Sequence, residues 1–188
     1  MTALPATEEA LLARAAAGDR EAFRPLVDAH YGRIHAFVSR DLGDPDDARE
    51  VCQEAFLSAW RAAGSYRGEA GVGTWLARIA VNRMRSRLRG RLPSGAGGDP
   101  DGAGLDGFAA HVRNSADEAA GREDADRVRT ALGHLPPEQR EALVMRHYGG
   151  YGFGEISRVL GIPEATVKSR VRYGLLKIEE MLREGGVR

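Results

Sequence analysis

Cysteine is almost absent from this chain. A single Cys52 in 188 residues excludes an internal disulfide framework and cysteine-based zinc sites such as Cys₂His₂. Long apolar runs are absent as well. None approaches the roughly 18 residues of a membrane span, so no membrane contact of its own is expected. Met1 to Ala10 lacks a basic segment followed by an apolar one, so no secretory signal is legible and a cytoplasmic protein is the default. Aromatic residues are scarce at 6%, and no alternating Val/Ile/Thr/aromatic run reads as a strand. An all-α fold follows. His30, His35, His111, His134 and His147 show no metal-ligand spacing, and there is no phosphate loop or nucleophile–base pair. No metal, no cofactor and no catalytic activity are expected.

What is present is a globular composition, 43% hydrophobic and 29% charged, in a length that allows one medium or two small domains. Lys+Arg and Asp+Glu both number 27, yet the charges are segregated. Asp41 to Glu54 holds six acids against Arg49 alone, and Arg78 to Arg91 holds six arginines and no acid. Asp99 to Asp126 holds eight acids against Arg113 and Arg122, and Lys168 to Lys177 holds four cations and no acid. Two basic segments separated by an acidic one suit two contacts with a polyanion, against the plainer reading of solvated helix faces. A neutral total argues against strong non-specific nucleic-acid binding by the free chain.

The clearest boundary is Pro93 to Gly107, with six glycines, two prolines and no helical periodicity. It divides the chain into residues 1–92, a flexible acidic linker at 93–117, and residues 118–188. In the first part, Thr7 and Asp19 are N-caps, and Phe23, Leu26, Val27, Tyr31, Ile34, Phe37 and Val38 recur at helical spacing, with Pro25 a possible kink. Asp44-Pro45 opens a helix that reaches Trp60, with Asp46 and Asp47 in its first turn. A helix from near Val72 to Arg89 buries Leu76, Ile79, Ala80, Met84 and Leu88. In the last part, helices are expected near Asp117 to Leu132, Glu138 to Tyr148, Phe153 to Leu160, and Pro163 to about Leu182.

Phe153 to Arg172, FGEISRVLGIPEATVKSRVR, reads as a helix-turn-helix. Ile156, Leu160, Ile162, Val167 and Val171 face inward, Ser157 lets the second helix pass close, and Gly161 tolerates the turn. Leu175, Ile178 and Leu182 extend the buried stripe. Ala165, Lys168, Ser169 and Arg172 share the outward stripe, flanked by Arg170 and Tyr173, which suits a major groove. The bland alternative is a helical hairpin with a solvated basic face. A weaker second signal lies upstream. Arg78, Asn82, Arg85 and Arg89 line one face of their helix, behind the loop Ser65 to Gly71 with Tyr66 and Arg67. Aromatics, an amide and arginines can hold an unstacked base and its phosphates, although Tyr66 and Trp75 also read as core.

These stretches together resemble the bacterial RNA polymerase sigma factors of the extracytoplasmic-function (ECF) type. The resemblance is carried by DPDDAREVCQEAFLSAWRA at 44–62, SYRGEAGVGTWLARIAVNRMRSRLR at 65–89 and LPPEQREALVMRHYGGYGFGEISRVLGIPEATVKSRV at 135–171, in that order and across the linker. It implies a sigma-2 helical bundle and a sigma-4 helix-turn-helix domain that bind core RNA polymerase and promoter DNA, under a controlling anti-sigma factor. It implies that Asp47, Glu50, Gln53, Glu54 and Leu57 meet the polymerase clamp. The minus-ten element and its flipped base would fall to Tyr66, Arg67, Thr74, Arg78, Asn82, Arg83 and Arg85. The minus-thirty-five element would fall to Thr166, Lys168, Ser169, Arg170, Arg172 and Tyr173. The chain departs from the family's usual residues at Arg49-Glu50, at Val72 and Gly73, and at Tyr173-Gly174.

Two other readings remain at this point. A stand-alone helix-turn-helix regulator would bind duplex DNA without polymerase. A metal-dependent enzyme would use the acids of 44–54, although capping and the helix dipole already account for Asp44, Asp46 and Asp47. Cys52 is a lone helical thiol, usually inert packing.

Overall fold

A computed structural model describes residues 7–91 and 119–183. The expected linker at 93–117 lies outside them, as does the expected helix start at Asp117. The described chain forms eight α-helices: α1 Glu8–Ala16, α2 Arg20–Leu42, α3 Pro45–Ala62, α4 Val72–Arg91, α5 Ala119–Gly133, α6 Pro137–His147, α7 Phe153–Leu160 and α8 Glu164–Arg183. A single 3₁₀ turn, Ala63–Ser65, follows α3. No strand occurs among the described residues.

Local chemistry sets the helix starts. The Thr7 hydroxyl accepts from Ala10 N–H at 3.2 Å, and Asp19 Oδ1 accepts from Ala22 N–H at 3.2 Å. Asp44 Oδ1 accepts from the amides of both Asp46 and Asp47, at 2.9 and 3.0 Å, with Pro45 behind it. Pro25 does not break α2, which runs unbroken through it. Pro25 lies on the exposed side, so the carbonyl it leaves without a helical donor, that of Glu21, can be hydrated. Gly43 then ends α2 at φ 72°, in the left-handed region.

The first four helices pack around α2, whose Phe23, Leu26, Val27, Ile34, Phe37 and Val38 are buried. Aromatic contacts tie α2 to α3: Phe23 meets Trp60 edge-on at 5.4 Å, and Tyr31 stacks on Phe56 at 5.9 Å. Cys52 is fully buried here, and burial pushes its thiol up to about 12, so it carries no thiolate at neutral pH. Gly73 has a packing reason. A Cβ at this position would lie 2.7 Å from His30 Cε1, and His30 is in turn held by Glu8 at 3.0 Å.

The last four helices form a second unit in which α8 packs on α5, α6 and α7. The inward stripe of α8 is Val167, Val171, Gly174 and Ile178, spaced i, i+4, i+7, i+11. Leu175 therefore departs from the expected stripe and is 44% exposed. Gly174 takes the place next to α6, where a Cβ would come 3.2 Å from Leu143 Cδ1. The two units touch: α2 packs on α5 and α6, and α4 packs on α7.

Candidate nucleic-acid and polymerase interfaces

The helix-turn-helix is built as its sequence suggests. Ile156, Leu160, Val167 and Val171 are buried, and Gly161 takes φ 69°. The Ser157 hydroxyl donates to Ile162 O at 2.6 Å, which closes the turn from inside. Glu155 Oε2 accepts from Gly152 N–H at 2.8 Å and fixes the start of α7. On the outer face Ala165, Lys168, Arg172 and Tyr173 are exposed, and Thr166, Ser169 and Arg170 are half-buried beside them. Lys168 Nζ sits 2.7 Å from Glu164 Oε1, with both side chains about half exposed at 56% and 48%. Such a pair contributes little and yields readily to a phosphate or a base edge. The Ser169 hydroxyl donates to Thr166 O at 2.9 Å, which leaves its oxygen to accept.

The second face starts at the loop before α4. Gly68 bends it at φ 74°, and the Tyr66 hydroxyl donates to Ala70 O at 2.6 Å. Tyr66 and Trp75 meet edge-on at 5.6 Å, both half-buried, so each serves the core while presenting an edge outward. A cleft of about 320 Å³ beside them is lined by Tyr66, Arg67, Thr74, Trp75 and Arg78, by Arg158 of α7, and by one acid, Glu69. Thr74 is buried, whereas Arg67, Arg78, Asn82 and Arg83 are exposed.

The arginine run on α4 is not uniform. Arg85 does not lie free beside Asn82. Its Nε and Nη2 donate to the two oxygens of Glu141 on α6, at 2.9 and 2.8 Å. Arg87 donates to Asp47 Oδ1 from Nε at 3.1 Å and from Nη2 at 2.6 Å, and reaches Glu50 Oε2 at 2.5 Å. Asp47 is consequently covered and only 9% exposed, although it shares a helix face with Glu50 and Glu54 and holds the same guanidinium as Glu50. Gln53 and Glu54 are exposed and Leu57 is half-buried. Sequence reasoning missed Arg87, Arg140 and Arg158. Arg87 and Arg140 are charged side chains in α-helical positions whose partners lie 40 and 99 residues away, so no local pattern marks them. Among the described residues, no group of three or more His, Cys, Asp or Glu is placed to hold a metal ion. No helix of the described residues is long and apolar enough to cross a membrane.

A helical bundle with an acidic face and a basic, cleft-bearing face, coupled to a helix-turn-helix, defines a modular DNA-binding protein with a second protein partner. Comparison with known proteins narrows this. Residues 26–92 match Sigma-70 region 2, and residues 125–178 match Sigma-70, region 4. The ECF RNA polymerase sigma factor SigM of Mycobacterium tuberculosis is 38% identical over 92% of this chain and 83% of its own length. The ECF RNA polymerase sigma-E factor of Escherichia coli is 32% identical over 88% of each. Among solved structures, CnrH in complex with the cytosolic domain of CnrY aligns with a TM-score of 0.71 at 26% identity, covering 95% of this chain and 99% of that one. The sigma factor RpoE of Bartonella quintana, in complex with the anti-sigma factor NepR, shares the fold at TM-score 0.66 and 23% identity, over 87% of this chain and 98% of that one. The chain belongs to the ECF RNA polymerase sigma factor family. As such it is a transcription initiation factor, not an enzyme, and works with core RNA polymerase at promoters. Membership through both regions sets aside the stand-alone regulator and the metal-dependent enzyme.

Proposed function

We propose that this cytoplasmic sigma factor divides its work between residues 1–92 and residues 118–188. The first unit docks on the polymerase through Glu50, Gln53, Glu54 and Leu57 of α3, with Asp47 bracing that face through Arg87. It then captures a base of the minus-ten element at the cleft beside Tyr66, with Arg67, Thr74, Arg78, Asn82, Arg83 and Arg85 around the strand. The second unit reads the minus-thirty-five element with Thr166, Lys168, Ser169, Arg170, Arg172 and Tyr173 of α8. The observation that carries this reading is the pairing of an exposed, basic helix-turn-helix face with a second basic face, on α4 and the loop before it, that borders the cleft. Control by an anti-sigma factor is supported by the likeness to solved complexes, among them RpoE with the anti-sigma factor NepR; a stress or envelope response is the setting we propose for it.

Run-off transcription on fragments of the source genome tests it. Discrete promoter-specific transcripts are expected only when core polymerase and this chain are both present. Tight sequence-specific duplex binding by the chain alone, with no transcripts, overturns the reading.

Asn82, exposed on α4 outside the cleft lining, gives a sharper check on the minus-ten assignment. Extruding a base costs a few kcal/mol, which contacts to the extruded base must offset. Asn82→Ala is therefore expected to lower open-complex formation about tenfold on duplex promoter and much less on a template already mismatched across the minus-ten element. Permanganate footprinting reads both, and equal defects remove the melting role from this residue.

A further inference from the structure

We propose that α1 sets the shape of the minus-ten cleft through His30, with Glu8 and His30 as positioning residues for base selection. The proposal rests on the assignment of base capture to the loop before α4. Neither residue lines the cleft, and both act through the backbone that carries its lining.

His30 is out of place by packing alone. It falls in the buried stripe of α2 between Leu26, Val27 and Ile34, where an aliphatic side chain would leave no polar atom to satisfy. The ring is 7% exposed, and its Nε2 lies 3.0 Å from Glu8 Oε1. A carboxylate only accepts, so Nε2 is the donor and Nδ1 is left as an acceptor. Nδ1 is buried and has no hydrogen-bond partner among the described residues. One hydrogen bond, from α1, therefore sets the angle of this ring.

That angle matters at Gly73. A Cβ there would lie 2.7 Å from His30 Cε1 and 2.9 Å from Nδ1, so the ring is seated against the backbone of the first turn of α4. The next two residues, Thr74 and Trp75, line the cleft. Their amides both donate to Gly71 O, at 2.9 and 3.1 Å, which ties the end of the loop to that turn. The ring backs the turn that carries one wall of the cleft.

α1 also reaches the other end of the loop. It packs on the 3₁₀ turn that precedes Tyr66 as well as on α4. Burial raises the Tyr66 hydroxyl above its ordinary range, and the charges of Glu9 and Glu8 add to this, which places both carboxylates near the phenol. Leu12 and Ala15, both buried, anchor α1 in the core against α2. A selective pocket needs its groups held within about 0.5 Å of the productive geometry by neighbours that are themselves locked. Here the lock is the Glu8–His30 pair.

The test is promoter discrimination by the holoenzyme. It compares run-off transcript from the promoter that gives the most with transcript from the same promoter carrying single minus-ten substitutions. This ratio does not depend on the fraction of protein that is folded, so a variant that is merely destabilised keeps it. Glu8→Ala releases the ring and should lower the ratio about tenfold, the effect of one misplaced hydrogen bond to the base. Discrimination at the minus-thirty-five element should not change. Glu8→Gln keeps an oxygen that accepts from Nε2 and should retain the parent ratio. Gly73→Ala drives a methyl into the ring and should also lower the ratio. His30→Ala makes room for that methyl, so the double variant should recover most of the loss. Equal ratios for the parent and Glu8→Ala overturn the proposal alone. So does a loss in Glu8→Gln as large as in Glu8→Ala, an equal loss at both promoter elements, or a double variant no better than Gly73→Ala. A parent that draws no distinction at the minus-ten element overturns the assignment of base capture, and the proposal with it.

Discussion

Replacing Lys168 and Arg172 together by alanine is expected to cut promoter-specific transcript roughly a hundredfold while leaving core polymerase binding unchanged. Both side chains are on the exposed stripe of α8, off the buried stripe of Val167, Val171, Gly174 and Ile178 that holds the helix in place, and Lys168 gives up only a long contact with the Phe153 ring at 5.7 Å. The fold should therefore survive the change. A base-edge contact is worth about 1–3 kcal/mol and a phosphate contact somewhat less, so two lost cations sum to roughly the 3 kcal/mol that a hundredfold represents. The existing Lys168–Glu164 pair subtracts little from this, because both partners are about half exposed and already screened. Polymerase docking is assigned to α3, in the other unit, so co-migration with core polymerase on a sizing column should be unaltered. Run-off transcription and that column together check the prediction. A parallel loss of core binding would contradict the placing of the two jobs on separate units. A loss of transcript at every promoter that is fully recovered by low salt would mark the pair as phosphate contacts alone, since such contacts set the salt slope and not the choice of sequence.

Much of the fold was legible because its signals are local. The Asp44-Pro45 cap, the Thr7 and Asp19 caps and the Gly161 turn each depend on residues within a few positions, and each stands where the sequence puts it. The phase of α8 was legible at Val171 and Ile178 and failed at Leu175, which is exposed. Between those two, α6 decides which side is covered. Because Gly174 carries no side chain, Leu143 and Leu135 come close there, and the leucine beside it is left exposed. Hydrophobicity scales cannot see a glycine as the inward position. The α4 arginines show the same limit for charge. Six arginines in fourteen positions read as one basic strip, yet Arg85 and Arg87 are held by carboxylates 56 and 40 residues away. Tertiary pairing alone separates the arginines that brace the structure from those that face solvent. Two of the departures from the family's usual residues, at Gly73 and Gly174, also have packing reasons: the His30 ring crowds the first, and Leu143 of α6 the second.

Asp41 should make wild-type stability fall, relative to Asp41→Asn, as pH rises from 4.5 to 7.5. The carboxyl sits in the last turn of α2, where the helix dipole already disfavours a negative charge, and its side chain is 2% exposed. Burial is the dominant influence and pushes its pKa up to about 6; Arg140 pulls it down in part, Glu141 pushes it up, and Arg85 pulls it down. A folded-state value above the unfolded 3.8 means the folded protein holds the proton more tightly. The associated stabilisation is full below the unfolded value and is lost as pH rises through the folded one. Between the two chosen pH values this amounts to about 2 kcal/mol. Urea unfolding of both proteins at pH 4.5 and 7.5 checks it, because every other titrating group is shared and cancels in the difference. A gap that stays constant would mean that Arg140 keeps Asp41 ionised throughout.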